Sequence, residues 1–248
     1  MSSFLDTMLA RAKADKQTIV LPEGDDPRTL EAAETILAQG VANLIILGNV
    51  AAIKESRRKL DGATLIDPQD SDLHDEFANT LYELRKHKGM TLEQAAEKVR
   101  DVLFFGVLMV KTGRADGMVS GACHSTGDVL RPSLQILKTA PGVKLVSSFF
   151  IMVVPNCEYG QNGTFLFSDC GLEIQPDAEK LAHIAVNSAQ SWKTLIGTEP
   201  VVAMLSHSTY GSAKNDDANK VVEAAAIARE LAPELALDGE LQADAAMV

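Results

Sequence analysis

The chain has 248 residues, 46% hydrophobic and 23% charged, an ordinary globular composition long enough to bury a proper core. The formal charge of −11 argues against a general nucleic-acid binder and is put down first to solubility, leaving room for anionic substrates gripped by a few local arginines. No run approaches the roughly 20 apolar residues of a membrane span. The start Met1-Ser2-Ser3-Phe4-Leu5-Asp6 predicts no secretory signal. Cys123, Cys157 and Cys170 lack the spacing of a disulfide framework or a zinc set, so a reducing cytoplasm is expected.

In chain order, short β-branched runs alternate with amphipathic helical runs. Residues 18–21 read as a strand. Asp26 then caps a helix with Pro27 at its first position, Leu30, Ala33 and Leu37 on one face, and Gly40 at its end. Residues 44–47 read as a strand, with a short helix after Asn49, and 64–67 as a third strand. Helical segments are predicted near 72–86 and 91–111, the second opening on a Thr91/Gln94 capping-box spacing. Residues 116–119 read as a buried strand, 120–127 as a small-residue loop, and a helix begins before Arg131. Further on, 144–154 reads as a long apolar strand, 164–167 as a strand, 177–195 as a helix, 201–205 as a strand, 216–231 as a helix and 235–238 as a last short strand. Such alternation predicts an α/β fold with mostly parallel, doubly covered sheets. The Pro141-Gly142 connection divides a first domain, 1–142, from a second, 143–248. The apolar end at Ala245–Val248, straight after a strand-like segment, reads as unfinished.

Familiar chemical signatures are missing. The chain has no G-x-G-x-x-G after a strand, no G-x-x-x-x-G-K-[ST] and no G-x-S-x-G. Its five histidines have no metal-ligand spacing among themselves, so no metal is expected.

The most informative segment is Val119-Ser-Gly-Ala-Cys-His-Ser-Thr-Gly-Asp-Val-Leu-Arg-Pro132. It leaves a strand and enters a helix. Gly121, Ala122 and Gly127 let a ligand approach the backbone, Ser120, Ser125 and Thr126 supply hydroxyls, and a helix start favours an anion. Arg131 offers a bidentate partner for phosphate oxygens. Spacing alone divides about evenly between a phosphate or acyl-phosphate cradle and a plain capped turn. The basic run Arg85-Lys-His-Lys88 reads as an anion-binding helix end or, more simply, as a solvated turn stopped by Gly89. Pro155–Gly160 joins two strands of a hairpin, and its Cys157 reads as an inert, buried thiol before it reads as a nucleophile. The segment Leu205-Ser-His-Ser-Thr-Tyr-Gly-Ser-Ala-Lys214 again leaves open an anion cradle or a capped turn.

Six blocks in order, LPEGDDPRTLEAA, YELRKHKGMTLEQAA, DGMVSGACHSTGDVLRPSLQILKTA, VPNCEYGQNGTFLFSDCG, AMLSHSTYGSAK and LAPELALDGELQADAA, resemble the phosphotransacetylase (phosphate acetyltransferase) family over essentially the whole chain. The butyryl-phosphate relatives match less well. The resemblance implies two α/β domains around a cleft, similar to isocitrate and isopropylmalate dehydrogenases. It implies a homodimer with no metal and no cofactor, taking acetyl phosphate, phosphate and coenzyme A as substrates. The implied mechanism is a ternary complex in which a base deprotonates the thiol and the thiolate attacks the acetyl carbonyl. Arg85 and Arg131 match family arginines linked to substrate anions and are the expected catalytic cations. Ser120, Gly121, Ser125 and Thr126 match the loop beside acetyl phosphate, while Cys157 and Tyr159 match a segment near the substrate. Family members continue beyond the last block, where the resemblance puts a serine–arginine pair and an aspartate base. The alternatives kept beside the enzyme are an impaired fragment that binds coenzyme A or anions, a structural partner, and a butyryl-type acyltransferase.

Overall fold

The computed structural model describes residues 4–247. They divide into two compact units, one ending at Lys138 and the other beginning at Thr139.

The first unit is built on a parallel sheet of β1 (Thr18–Leu21), β2 (Asn43–Leu47), β3 (Thr64–Ile66) and β4 (Gly117–Met118), in the order β3-β2-β1-β4. The β1 and β2 side chains alternate between two apolar clusters, as a sheet covered on both faces requires. Val20, Ile45 and Leu47 meet Phe77, Leu81, Phe105 and Leu108. Leu21, Leu44 and Ile46 meet Leu30, Ala33 and Ile53. The first face is supplied by α4 (His74–Arg85), α5 (Leu92–Lys98), α6 (Val102–Lys111) and α7 (Thr126–Ile136). The second is supplied by α2 (Pro27–Gln39) and α3 (Val50–Glu55). A first helix, α1 (Phe4–Ala14), buries no residue, and nothing in the apolar pattern had marked it.

The local signals explain most boundaries. Asp26 accepts from the Arg28 amide with Pro27 inside the first turn, and Gly40 closes α2 at φ 65°. Thr91 and Gln94 form the predicted reciprocal box. The predicted 91–111 helix is two helices, because the Asp101 carboxylate accepts from the amides of Leu103 and Phe104 and starts α6 afresh. α6 is buried along Leu103–Met109, so its apolar run hid that restart.

The second unit holds an antiparallel hairpin of β5 (Phe150–Val153) and β6 (Thr164–Phe167), and a parallel pair of β7 (Val201–Leu205) and β8 (Ala236–Leu241). The strand expected over 144–154 is cut to its last third. Ser148 donates from its hydroxyl to the Cys170 carbonyl and accepts at its own carbonyl from Ser168, so side-chain bonds replace a ladder there. α8 (Ala178–Ile196) and α9 (Asp216–Leu231) close on each other and on β7 through small side chains, Ala178, Ala185, Ala224 and Ala225, around Met204 and Val221. A short α10 (Ala243–Met247) follows β8.

Candidate active site

β1 and β4 are parallel neighbours, so the segments that follow them leave the same carboxyl edge of the sheet, the edge where open α/β folds hold ligands. After β1 comes Pro22-Glu23-Gly24. After β4 comes the loop 119–125. Gly24 fits because a side chain there would have its Cβ 2.5 Å from the Leu47 carbonyl oxygen, and its own amide donates to that oxygen at 2.9 Å.

Glu23, only 5% exposed, reaches into the loop. Its Oε2 accepts from the amides of Gly121 at 2.9 Å and Ala122 at 2.8 Å. Its Oε1 accepts from the amides of Cys123 at 3.0 Å and His124 at 3.1 Å, and from His124 Nδ1 at 2.8 Å. Burial alone would push this carboxyl up. The amides of Cys123, Ala122 and Gly121 and the His124 ring outweigh it and hold Glu23 far below the usual carboxylate range. The loop is thus an anion nest whose four amides are filled by the protein's own carboxylate. The Cys123 thiol belongs to an exposed residue, but partial desolvation and the adjacent Glu23 carboxylate push it up.

The loop is fastened from two further sides. Arg28 of α2 pairs with Asp26 and also donates to the Ala122 carbonyl. Ser125 caps α7 in a reciprocal box with Asp128, whose carboxyl is held low by the Ser125 hydroxyl and amide, with Arg131 and His124 adding smaller effects. That box uses the side chains of the Ser125 cap, while Thr126 lies exposed in the first turn.

Of the expected site residues in the first unit, Gly121 is spent on Glu23 and Ser125 on the helix cap. Arg131 lies exposed on α7 and Arg85 ends α4; neither forms an ion pair among the described residues. Buried polar atoms without a partner include Arg85 Nε and Ser120 Oγ, both in residues the resemblance had assigned to substrate. A phosphate oxygen is the kind of group that would satisfy them.

Cys157 and Tyr159 belong to the second unit, in the β5–β6 turn, where Gly163 donates to the Tyr159 carbonyl. Cys157 is half-buried and Tyr159 exposed. No described side chain hydrogen-bonds Cys157 as an activating base would. The 205–214 loop repeats the device of the first unit. Glu240 of β8, 4% exposed, accepts from the Ser208 hydroxyl at 2.8 Å and the Gly211 amide at 2.7 Å, and these bonds hold its carboxyl low. A hollow of about 420 Å³ in this unit carries Asp177, Glu179 and Glu223 against the single Lys144, the wrong balance for a phosphate.

Glu23, Cys123 and His124 bring donor atoms within 4.8 Å of one another, the one such trio among the described residues. Both carboxylate oxygens are already filled by amides, so the trio is a hydrogen-bonded cage and not a ligand set. Sequence reasoning passed over Glu23, Arg28 and His124. The available signal was the acidic residue between Pro22 and Gly24 at the end of an apolar strand.

The family model described as phosphate acetyl/butaryl transferase matches residues 3–248. The chain is 55% identical over 248 residues to the phosphate acetyltransferase of Acetivibrio thermocellus, covering 99% of this chain and 75% of that one. It is likewise 55% identical to that of Thermoanaerobacterium thermosaccharolyticum, covering 99% and 76%. A solved phosphotransacetylase from Streptococcus pyogenes superposes with a TM-score of 0.90 at 43% identity, covering 100% of this chain and 75% of that one. A branched-chain phosphotransacylase from Enterococcus faecalis shares the fold at 18% identity and a TM-score of 0.64.

Proposed function

Because the chain belongs to the phosphate acetyl/butaryl transferase family, we propose that it moves an acetyl group reversibly between acetyl phosphate and coenzyme A. The acetyl donor is preferred to a butyryl one because the relatives at 55% identity are phosphate acetyltransferases. The observation that carries the site is the pair of unpartnered buried atoms, Arg85 Nε and Ser120 Oγ, at the residues expected to meet substrate.

In this reading Arg85 and Arg131 hold the anionic groups of the substrates, since a guanidinium presents two parallel donors to a phosphate. The Ser120 hydroxyl gives one more donor. Glu23 fastens the loop that carries Ser120, so this hydroxyl need not be ordered when substrate arrives. The thiolate of coenzyme A attacks the acetyl carbonyl, the mixed anhydride bond breaks, and positive charge at the phosphate steadies the departing group. Coenzyme A enters as a substrate, and no further cofactor or metal is assigned. A homodimer in the cytoplasm is proposed on the family resemblance. No helix among the described residues is long and apolar enough to cross a membrane.

The test is steady-state kinetics of Arg85→Ala and Arg131→Ala with acetyl and butyryl phosphate. Each variant is expected to lose about 10- to 100-fold in kcat/KM, as for a charged contact worth roughly 1.5–3 kcal/mol. Both variants should keep the wild-type melting temperature, because neither arginine is ion-paired. Unchanged kinetics in both would refute the substrate role, and equal use of both acyl phosphates would refute the acetyl preference.

A further inference from the structure

The proposed reaction has a proton to place at the phosphate. When a sulfur–carbon bond forms and the carbon–oxygen bond to phosphate breaks, the electron pair stays on a phosphate oxygen. The phosphate of acetyl phosphate is already a dianion at neutral pH. It would leave as a trianion unless a proton reaches it as the bond opens. A donor beside the phosphate therefore has chemistry to do.

We propose that His124, held by Glu23, is the acid that protonates the departing phosphate through Nε2. This rests on the acetyltransferase reading above. His124 Nδ1 donates to Glu23 Oε1 at 2.8 Å, which fixes the ring and keeps a hydrogen on that nitrogen. Nε2 makes no hydrogen bond among the described residues, and the side chain is 29% exposed, so this nitrogen is left for a ligand. The pairing has the form of a carboxylate that orients an imidazole and steadies its cation.

The groups around the ring leave it as the one that can cycle a proton. Glu23, on the segment after β1, stays ionised and accepts only. Asp128 of α7 is held in its anionic form by Ser125. The Cys123 thiol, with Sγ 3.6 Å from His124 Nδ1, is pushed up by partial desolvation and by Glu23 and keeps its proton. Asp26, the cap of α2, is held low, first by Arg28. Arg28 is held in its cationic form by Asp26. In the forward step the Nε2 proton moves to the phosphate oxygen as the carbon–oxygen bond breaks. The thiol proton is released to water, and the imidazole regains one from water. In reverse, neutral His124 takes the proton from hydrogen phosphate and makes it the nucleophile.

The experiment compares acetyl phosphate with methyl acetyl phosphate, whose leaving group is already complete as a dianion and needs no proton. In the wild type, kcat with acetyl phosphate should fall on an alkaline limb that is missing with methyl acetyl phosphate. His124→Asn keeps a donor toward Glu23 but cannot give a proton from the Nε2 side. It should lose about 100-fold in kcat with acetyl phosphate, lose the alkaline limb, and lose less than about 5-fold with methyl acetyl phosphate, with KM for coenzyme A unmoved. A purely structural role would depress both donors alike. Equal losses, full activity, or a wild-type limb shared by both donors overturns the inference, and the last comparison needs no variant. A wild type that turns over neither donor overturns the acetyltransferase reading and this inference together, whereas turnover without the donor-dependent limb overturns this inference alone.

Discussion

Glu23→Gln is the perturbation that separates a filled nest from an open one. The carboxylate accepts four backbone amides and the His124 ring across its two oxygens. Glutamine keeps the shape but not the acceptor count. In one orientation its NH2 faces the amides of Gly121 and Ala122. In the other it faces Cys123, His124 and the ring. At least two bonds are lost in either case, and a donor is set against donors. With each stranded buried donor costing about 1–3 kcal/mol, a net loss of about 3 kcal/mol is expected. In the first unit this corresponds to a fall in melting temperature on the order of 10 °C. Hydrogen exchange read at the amides of residues 121–124 should show protection in the wild type and its loss in the variant. The pH dependence has a definite sign. The folded carboxyl lies far below its unfolded value of about 4.3, so its contribution is complete above that value and drains away as pH falls toward the folded one. The variant has no such titration, so the gap between wild type and Glu23→Gln should narrow below about pH 4. Equal protection of these amides in both proteins, or a gap that does not change with acid, would refute the cage.

Gly24→Ala should destabilise the same unit by about 3 kcal/mol, since the new Cβ would lie 2.5 Å from a backbone oxygen that cannot swing away; a melting temperature within 2 °C of wild type would refute the close approach. Ser125→Ala removes the hydroxyl that caps α7 and should cost about 1 kcal/mol in denaturant unfolding, with no loss indicating that the box adds nothing. Cys157→Ser should keep most acetyl transfer, because no base is bonded to this thiol; complete loss with an intact circular dichroism spectrum would revive covalent catalysis.

The elements that could be read from the sequence are those whose signals are local. α2 shows its Asp26 cap, Pro27 and Gly40 within fifteen residues of chain, and α9 spans the residues 216–231 read as a helix. α6 was fused to α5 because a helix buried on all sides has no periodic face to mark its beginning, and a single aspartate at 101 carries the break. The site divides in the same way. Ser120, Arg85 and Arg131 stand in recognisable blocks. Glu23 is invisible to local reading because its hydrogen-bond donors lie 98 to 101 residues further along the chain. Only the parallel pairing of β1 with β4 brings the two together. The composition of this small-residue loop therefore divides evenly between an anion cradle and a capped turn, whereas its amides 121–124 already hold a carboxylate of the protein's own.

The most direct measurement mixes this protein with acetyl phosphate and coenzyme A and follows acetyl-CoA and inorganic phosphate separately. Both should form in equal amounts, only when coenzyme A is present, and adding phosphate to acetyl-CoA should run the reaction backward. Phosphate release without acetyl-CoA, or no coenzyme A-dependent change in either direction, would contradict it.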